Sequence, residues 1–168
     1  MGFRAWTHTA VSTFLPLLLI QQGYSAMDAG YFLTIFLVGA ALGGLAGGYA
    51  GDHLGHKRII LFTLLAGLLP TYYFFTHMVM NLLSLTALFL RGASLQAPQP
   101  SSLVWAQKLL PDHAGMASGM MMGLSFGLGS IGTAITAACA DHIGLLTALL
   151  WTTLPMLISV IVTLYTKF

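Results

Sequence analysis

Residues 47–58 read Gly47-Gly48-Tyr49-Ala50-Gly51-Asp52-His53-Leu54-Gly55-His56-Lys57-Arg58 and separate two long apolar runs. An acid, two histidines and two bases fall close together here, although only 6% of the chain is charged. A polar turn between two apolar helices is typical of a membrane surface, where its charges remain in water. We therefore predict that this stretch is a hinge whose charges pair across neighbouring helix ends and hold them in one of two arrangements.

The composition indicates a polytopic membrane protein. The chain of 168 residues is 57% hydrophobic and has only six Lys or Arg and four acidic residues, whereas a soluble domain of this size needs a charged surface. The charges separate six uncharged runs, which are residues 5–27, 29–51, 59–90, 92–107, 113–140 and 142–166. Because about 20 apolar residues span a bilayer as a helix, the sequence predicts an all-α integral membrane fold.

The polar and turn-forming residues between these runs predict six transmembrane helices in a single domain, residues 1–168. The helices are expected at about 5–22, 29–51, 59–76, 81–105, 115–140 and 145–166. With the N-terminus inside, the bases outside the bilayer all fall on the inner side; they are Arg4, Lys57, Arg58, Lys108 and Lys167. Because basic residues concentrate in cytoplasmic segments, we predict a multi-pass plasma-membrane protein with both termini in the cytoplasm.

An internal repeat divides the chain into two blocks of three helices. The sequence Gly51-Asp52-His53-Leu54-Gly55 recurs as Ala140-Asp141-His142-Ile143-Gly144. Two rows of glycines at every fourth residue accompany it, one at Gly39, Gly43, Gly47, Gly51 and Gly55, the other at Gly115, Gly119, Gly123 and Gly127. Because each block crosses the membrane three times, the second block starts on the opposite side from the first. The sequence therefore predicts a 3+3 inverted repeat of residues 5–76 and 78–166. The alternative is that such rows arise by chance, since small residues are common in membrane helices.

These motifs resemble those of a known family. The spacing Gly48-x3-Asp52-x2-Gly55-x-Lys57-Arg58 resembles the signature loop of the major facilitator superfamily, and segments 105–111, 115–119, 123–129 and 140–142 are similar to the C-terminal half of its fosmidomycin-resistance group. His56 and Lys108 depart from the family pattern, which usually has an arginine and an acid there. The resemblance implies half of a twelve-helix transporter that exports small drug-like molecules, giving antibiotic resistance, by rocking of two halves around a midplane site.

The resemblance also implies a role for the polar turn and for the glycine rows. Gly48, Asp52, Gly55, Lys57 and Arg58 would form a gate loop in which Asp52 latches one conformation and the bases also meet anionic lipid. Alternatively, the turn only needs polar residues and the bases only determine topology. The packing glycines Gly43, Gly47, Gly51, Gly119, Gly123 and Gly127 would lie on the two helices that face the other half; static packing within this half is the alternative.

Three polar residues are candidates for a substrate cavity. Arg91 is expected about 16 Å deep in the fourth helix, where a charge is costly and should face protein or water. Gln96 lies with Gln99 beside two prolines that weaken this helix, and broken helices commonly line transport sites. His8 is placed at the start of the first helix. Each has a structural alternative. Arg91 would be a partner for a carbonyl or for a group on the missing half, the segment around Gln96 would be a kink needed only for packing, and His8 would be a hydrogen-bonded core histidine.

Other functions find no support in the sequence. It contains no catalytic motif of a metalloprotease, phosphate-binding loop or serine hydrolase, so we expect no enzyme, no cofactor and no metal site. The scattered bases form no stripe for nucleic acid. The expected partners are the lipid bilayer, a small-molecule substrate, and a second six-helix half or a second copy of the chain. A non-transporting fragment or assembly module, and a channel-like homodimer, remain alternatives.

Overall fold

The computed structural model describes residues 2–165, which form helices joined by short turns. The helices are α1 (Gly2–Gln21), α2 (Ala26–Leu54), α3 (His56–Ala66), α4 (Leu68–Thr76), α5 (Leu82–Gln96), α6 (Pro98–Leu109), α7 (Ala114–Ile143), α8 (Leu145–Trp151) and α9 (Thr153–Tyr165). A short 3-10 turn, Pro111–His113, precedes α7. The described residues contain no β-strand. Lys167, one of the predicted inner bases, lies outside them.

Three of the helix junctions are breaks within longer rods. α3 meets α4 at Gly67, α5 meets α6 at Ala97, and α8 meets α9 at Thr152. All three junction residues keep right-handed helical backbone angles, so each pair of helices continues as one kinked rod. The rods lie where the sequence predicts helices, but α2 continues to Leu54. Asp52 therefore lies in the last turn of a helix and not in a loop.

Four stretches of residues 2–165 are long and apolar enough to cross a membrane. They are Ala26–Leu54, His56–Thr76, Pro111–Ile143 and Leu145–Tyr165. The two remaining rods, α1 and the α5–α6 pair, carry the polar side chains Arg4, His8, Arg91, Gln96 and Gln99. The structure thus establishes an all-helical chain with four candidate spans, and the six predicted spans are not all supported by length and hydropathy.

The most extensive helix contact joins α2 to α5 through glycines. A β-carbon on Gly39, Gly43 or Gly47 would collide with the backbone of the α5–α6 rod, at Phe89, Ala93 and Ala97 respectively. Each step of four residues along α2 is matched by a step of four residues along that rod, so the two run parallel. Small residues permit this approach, and the first glycine row is therefore used for packing within the chain.

A second parallel pair is formed by α1 and α7. A β-carbon on Gly132 would meet the ring of Trp6, whose indole Nε1–H donates a hydrogen bond of 2.9 Å to Thr136 Oγ1. Gly2, at the start of α1, lies against Leu128 near the middle of α7. The first half of α7 consequently extends beyond α1 on this side.

The second glycine row lies in that uncovered half of α7. Apart from the adjoining backbone of α7 itself, no atom of the described residues lies within 4 Å of a β-carbon placed on Gly115, Gly119, Gly123 or Gly127. The two rows predicted as a pair therefore occupy different environments, one packed against α5 and the other open. Gly129 and Gly132, outside the predicted row, make the contact with α1.

The echoed sequence motif folds as the same turn in both places. Gly55 ends α2 with φ 92° and Gly144 ends α7 with φ 84°, and the next helix begins at the following residue. The backbone N–H of Gly55 donates to Gly51 O at 3.1 Å, and that of Gly144 donates to Ala140 O at 2.9 Å. Glycine is needed because a side chain is strained at these backbone angles.

Contacts between distant segments show which ends of the rods lie together. Lys57 Nζ, at the start of α3, donates a hydrogen bond of 3.1 Å to Leu164 O, at the end of α9. The Tyr24 hydroxyl, between α1 and α2, donates one of 2.8 Å to Met78 O, between α4 and α5. Successive rods therefore run in alternating directions.

We expect Gly43→Ala to lower the free energy of unfolding by about 1–3 kcal/mol, because the added methyl group overpacks the contact with α5. The matched variant Gly123→Ala adds the same methyl group in open space, and its better helix propensity should raise the unfolding free energy by up to about 1 kcal/mol. Denaturation of the purified chain in detergent micelles measures both changes. Equal effects of the two substitutions would contradict the assignment of these glycines to different environments.

Candidate functional site

An open cleft between α1, the α5–α6 rod and α7 is lined by seven polar side chains. Its empty volume is about 530 Å³, part of which is open to the surroundings. The polar lining residues are Arg4, His8, Thr9, Gln96, Gln99, Ser102 and Ser125, and the apolar ones are Ala5, Leu103, Met121, Met122 and Phe126. Because ligand sites combine apolar walls with a few convergent polar groups, this cleft is the candidate functional site.

Arg4 is the central polar group of the cleft. Its side chain is 3% exposed. Nη1 donates hydrogen bonds to Leu95 O at 2.6 Å and Gln96 Oε1 at 3.0 Å, and Nη2 donates one to Gln99 Oε1 at 3.0 Å. All three acceptors are uncharged, so the positive charge of Arg4 is solvated by dipoles and not neutralised by a carboxylate.

The break between α5 and α6 creates the partners of Arg4. Pro98 and Pro100 have no backbone N–H and cannot complete the helical hydrogen-bond ladder. The carbonyls that lose a helical N–H donor are those of Ser94 and Gln96, four residues before each proline, and the rod turns at Ala97. Leu95 O and the Gln96 and Gln99 side chains lie on either side of this break and accept hydrogen bonds from the Arg4 guanidinium of α1.

His8 lies one helical turn from Arg4 and also lines the cleft. Its ring is tilted against that of Phe36, with the ring centroids 5.3 Å apart. Its Nε2 atom is buried and has no hydrogen-bond partner within residues 2–165. The cleft thus places an uncommitted imidazole beside a buried cation, and no carboxylate lines it.

Arg91, which the sequence analysis grouped with His8 and Gln96, does not line this cleft. Its side chain is fully buried, with the guanidinium 4.4 Å from the centroid of the Phe75 ring. None of its nitrogen atoms has a hydrogen-bond partner in the described part of the chain. Five residues of α-helix rotate the direction of a side chain by about 140° from its starting point, so Arg91 and Gln96 leave α5 on different sides.

The residues of the predicted gate loop surround the turn at Gly55. Asp52 and Arg58 are exposed, and their side chains make no hydrogen bond or ion pair with residues 2–165. Lys57 reaches Leu164, as described above, and Gly48 lies against Pro100 of α6, with a β-carbon 3.4 Å from the proline ring. Asp52 and Arg58 are therefore close in sequence without being paired in this arrangement.

Sequence reasoning missed the most important residue of the cleft. It assigned Arg4 to the membrane surface as a topology signal, and burial of its side chain contradicts that assignment. Arg4 is buried because α1 begins beside the middle of α7, so the first turn of α1 lies among other helices. The signal that could have identified the site is the pair of glutamines beside two prolines, because freed carbonyls and amides in an apolar helix require a donor.

The described residues offer no site for a metal ion, since they contain no group of three or more His, Cys, Asp or Glu side chains close enough to bind one. The groups of the cleft are hydrogen-bond donors and acceptors with one fixed positive charge. Such an arrangement suits reversible binding of a polar or anionic small molecule.

Comparison with known proteins identifies relatives over nearly the whole chain. The sequence profile of the Major Facilitator Superfamily matches residues 1–167. The fosmidomycin resistance protein of Escherichia coli (strain K12) is 31% identical over 134 residues, which are 79% of this chain and 32% of that protein. The uncharacterized MFS-type transporter YfnC of Bacillus subtilis (strain 168) is 32% identical over 126 residues, 72% of this chain and 29% of that protein. The chain therefore spans about a third of the length of these curated relatives.

We expect Arg91→Met to raise the free energy of unfolding by about 1–4 kcal/mol, because a buried charge without hydrogen bonds costs more than its replacement by an apolar side chain of similar length. The contact with Phe75 returns about 2 kcal/mol, less than the several kcal/mol that desolvation of the charge costs. Arg4→Met is the matched control and should lower the unfolding free energy, since it leaves Gln96 and Gln99 without their donor. Equilibrium denaturation in micelles measures both. Destabilisation by Arg91→Met would show that this guanidinium has a stabilising partner.

Proposed function

The chain belongs to the Major Facilitator Superfamily, and we propose that it is one six-span half of a secondary transporter that exports small drug-like molecules by alternating access. Its two repeats are residues 5–76 and 78–166, related by inverted topology. The observation that carries this proposal is the cleft itself, in which a buried arginine and a partly buried histidine line open space in a predominantly apolar helical chain.

The pairing of the helices supports the inverted repeat. The first helix of each proposed repeat packs in parallel against the second helix of the other: α1 against α7, and α5 against α2. The third rods, α3–α4 and α8–α9, also contact each other. Exchange of the two blocks therefore reproduces the same set of neighbours, as expected for two copies related by a pseudo-two-fold axis in the membrane plane.

The distribution of charged residues supports a gate at the base-rich surface. Lys57, Arg58 and Lys108 lie at rod ends that point the same way, and we propose that this face is cytoplasmic. Asp52 and Gly55 lie at the end of α2 on this face, and Gly48 lies about two helical turns earlier in α2. A carboxylate near a helix C-terminus is unfavourable without a cation, so Asp52 is expected to gain its partner in the other arrangement of the gate or from the other half.

The proposed substrate site is formed by Arg4, His8, Gln96 and Gln99. A molecule with a negative or strongly polar group would accept hydrogen bonds from Arg4 and His8 while its apolar part contacts the methionines of α7. The second half of the transporter would close the open side of the cleft. This half is proposed to pack along the uncovered face of α7, where Gly119, Gly123 and Gly127 permit close approach.

Resistance measurements distinguish this proposal from its rivals. We expect the chain to raise the resistance of a susceptible bacterium to fosmidomycin, the compound in its relative's name, when it is produced together with an N-terminal six-helix half, and not alone. Resistance from the chain alone would favour a channel-like homodimer. No resistance in either case, with the chain present in the membrane, would favour a non-transporting fragment or assembly module.

Arg4→Gln should lower the transport rate at subsaturating substrate about tenfold, because charge-assisted hydrogen bonds contribute roughly 1.5–3 kcal/mol. Lys108→Gln removes an exposed base outside the cleft and serves as the control, with transport expected to remain unchanged. Transport by membrane vesicles that contain the chain together with the N-terminal six-helix half, normalised to the amount of inserted chain, measures both rates. An unchanged rate for Arg4→Gln would contradict the assignment of the cleft as the substrate site.

Asp52→Asn should leave the amount of protein in the membrane unchanged and lower the transport rate by up to about fivefold, the value of an exposed ion pair of at most about 1 kcal/mol. Asp141→Asn is the matched control, because Asp141 occupies the same position in the echoed turn but is not followed by a pair of bases. A rate that is equal in the wild-type protein and Asp52→Asn would contradict the latch.

A further inference from the structure

A second and larger groove lies between α2, α3, α4 and α5 and shares no lining residue with the substrate cleft. Its empty volume is about 1380 Å³, part of it open to the surroundings. The lining is apolar except for Arg58, Thr63 and Ser94. Such a groove on a membrane helix is filled by something apolar, since neither water nor an empty space is favourable there.

Small side chains give the groove its depth. Alanines from three helices line it, namely Ala46 and Ala50 of α2, Ala66 of α3, and Ala93 near the end of α5, with Ala97 at the break. α2 and α5 meet there through Gly43 and Gly47, so no large side chain stands between them. The groove is therefore a recess between helices, floored by small side chains.

The length of the groove matches one leaflet of a bilayer. It runs along α3 from Arg58 to Ala66 and reaches Pro70 one turn later, which is roughly 18 Å at 1.5 Å per residue. The hydrocarbon core is about 30 Å thick, so the groove extends from the membrane surface to slightly beyond the midplane. An acyl chain of a single leaflet occupies this depth.

A free guanidinium marks the surface end of the groove. Arg58 is exposed, and no hydrogen bond or ion pair joins its side chain to residues 2–165. Arginine binds phosphate through two parallel N–H donors. Thr63, farther along the groove, has its hydroxyl committed to the carbonyls of Ile59 and Ile60. The hydroxyl of Ser94 likewise donates to Arg91 O. The remaining polar group is therefore cationic and lies where the headgroup of a lipid would be.

We propose that this groove binds one acyl chain of an anionic phospholipid, with the lipid phosphate held by Arg58. A packed helix from another protein fits less well, because it would cover Arg58 without supplying a charge unless it carried an acid at that height. The inference requires that the chain lie in a membrane but does not depend on the transport activity proposed above.

Photolabelling of the full chain in vesicles tests the proposal. The vesicles contain phosphatidylcholine and phosphatidylglycerol, and one of the two lipids carries a photoreactive group in its acyl chain. Labelled phosphatidylglycerol should form adducts concentrated on the groove residues, and labelled phosphatidylcholine several-fold fewer. Arg58→Gln should lower the phosphatidylglycerol adducts about fivefold, the effect expected for one base at an anionic surface, whereas Lys108→Gln should leave them unchanged.

Two tryptophan variants test whether the acyl chain enters the groove. Ala46→Trp fills the groove and should abolish its adducts with either lipid. Leu45→Trp places the same ring on a neighbouring exposed position of α2 outside the groove and should preserve them. Both positions are exposed, so neither ring disturbs the packed core.

Several results would overturn the proposal. Adducts spread evenly over exposed apolar residues would mean that lipid is not selected, and equal effects of Arg58→Gln and Lys108→Gln would mean that Arg58 does not hold the headgroup. Crosslinks between two chains at the groove, with lipid adducts absent, would identify a second copy of the chain as the occupant.

Discussion

The close approach of α2 to α5 is the constraint on which the rest of the structure depends. Lipid offers no hydrophobic driving force between helices, so association relies on van der Waals contact between well-matched surfaces. Gly39, Gly43 and Gly47 bring the α2 backbone against α5, which sets the register of the two helices and places the Ala97 break at a defined height. That height is where Arg4 meets Leu95, Gln96 and Gln99. The cleft proposed to bind substrate and the groove proposed to bind lipid both follow from this contact between α2 and α5.

The two arginines of the interior show how differently one side chain can be accommodated. Arg4 is held by three acceptors that a broken helix makes available, and it remains beside open space. Arg91 is enclosed and has an aromatic ring as its neighbour. A polar or anionic substrate could compete for the first guanidinium without rearrangement of the core, but could reach the second only by opening it. Depth alone therefore does not identify a candidate substrate contact; access from the cleft distinguishes the two arginines.

Much of the architecture could be predicted because it depends on local rules. The apolar runs predict the rods, and the echoed Asp-His-x-Gly motif predicts two turns with the same glycine geometry at Gly55 and Gly144. The groupings within the site could not be predicted, because they depend on helix rotation and relative height. Rotation separates Arg91 from Gln96, and the height of α1 buries Arg4. The second glycine row has the same spacing as the first, yet only tertiary packing decides that one meets α5 and the other remains open.

Cysteine accessibility tests the central claim, that two three-helix repeats cross the membrane in opposite senses, most directly. In a Cys139→Ser background, single cysteines replace Lys57 and Lys108 on the proposed cytoplasmic face and Val79 and Asp141 on the opposite face. A membrane-impermeant thiol reagent added to intact cells should modify positions 79 and 141, and positions 57 and 108 only after the membrane is opened. Labelling of positions 57 and 108 from opposite sides of the membrane would contradict the inverted repeat and the transporter arrangement built on it.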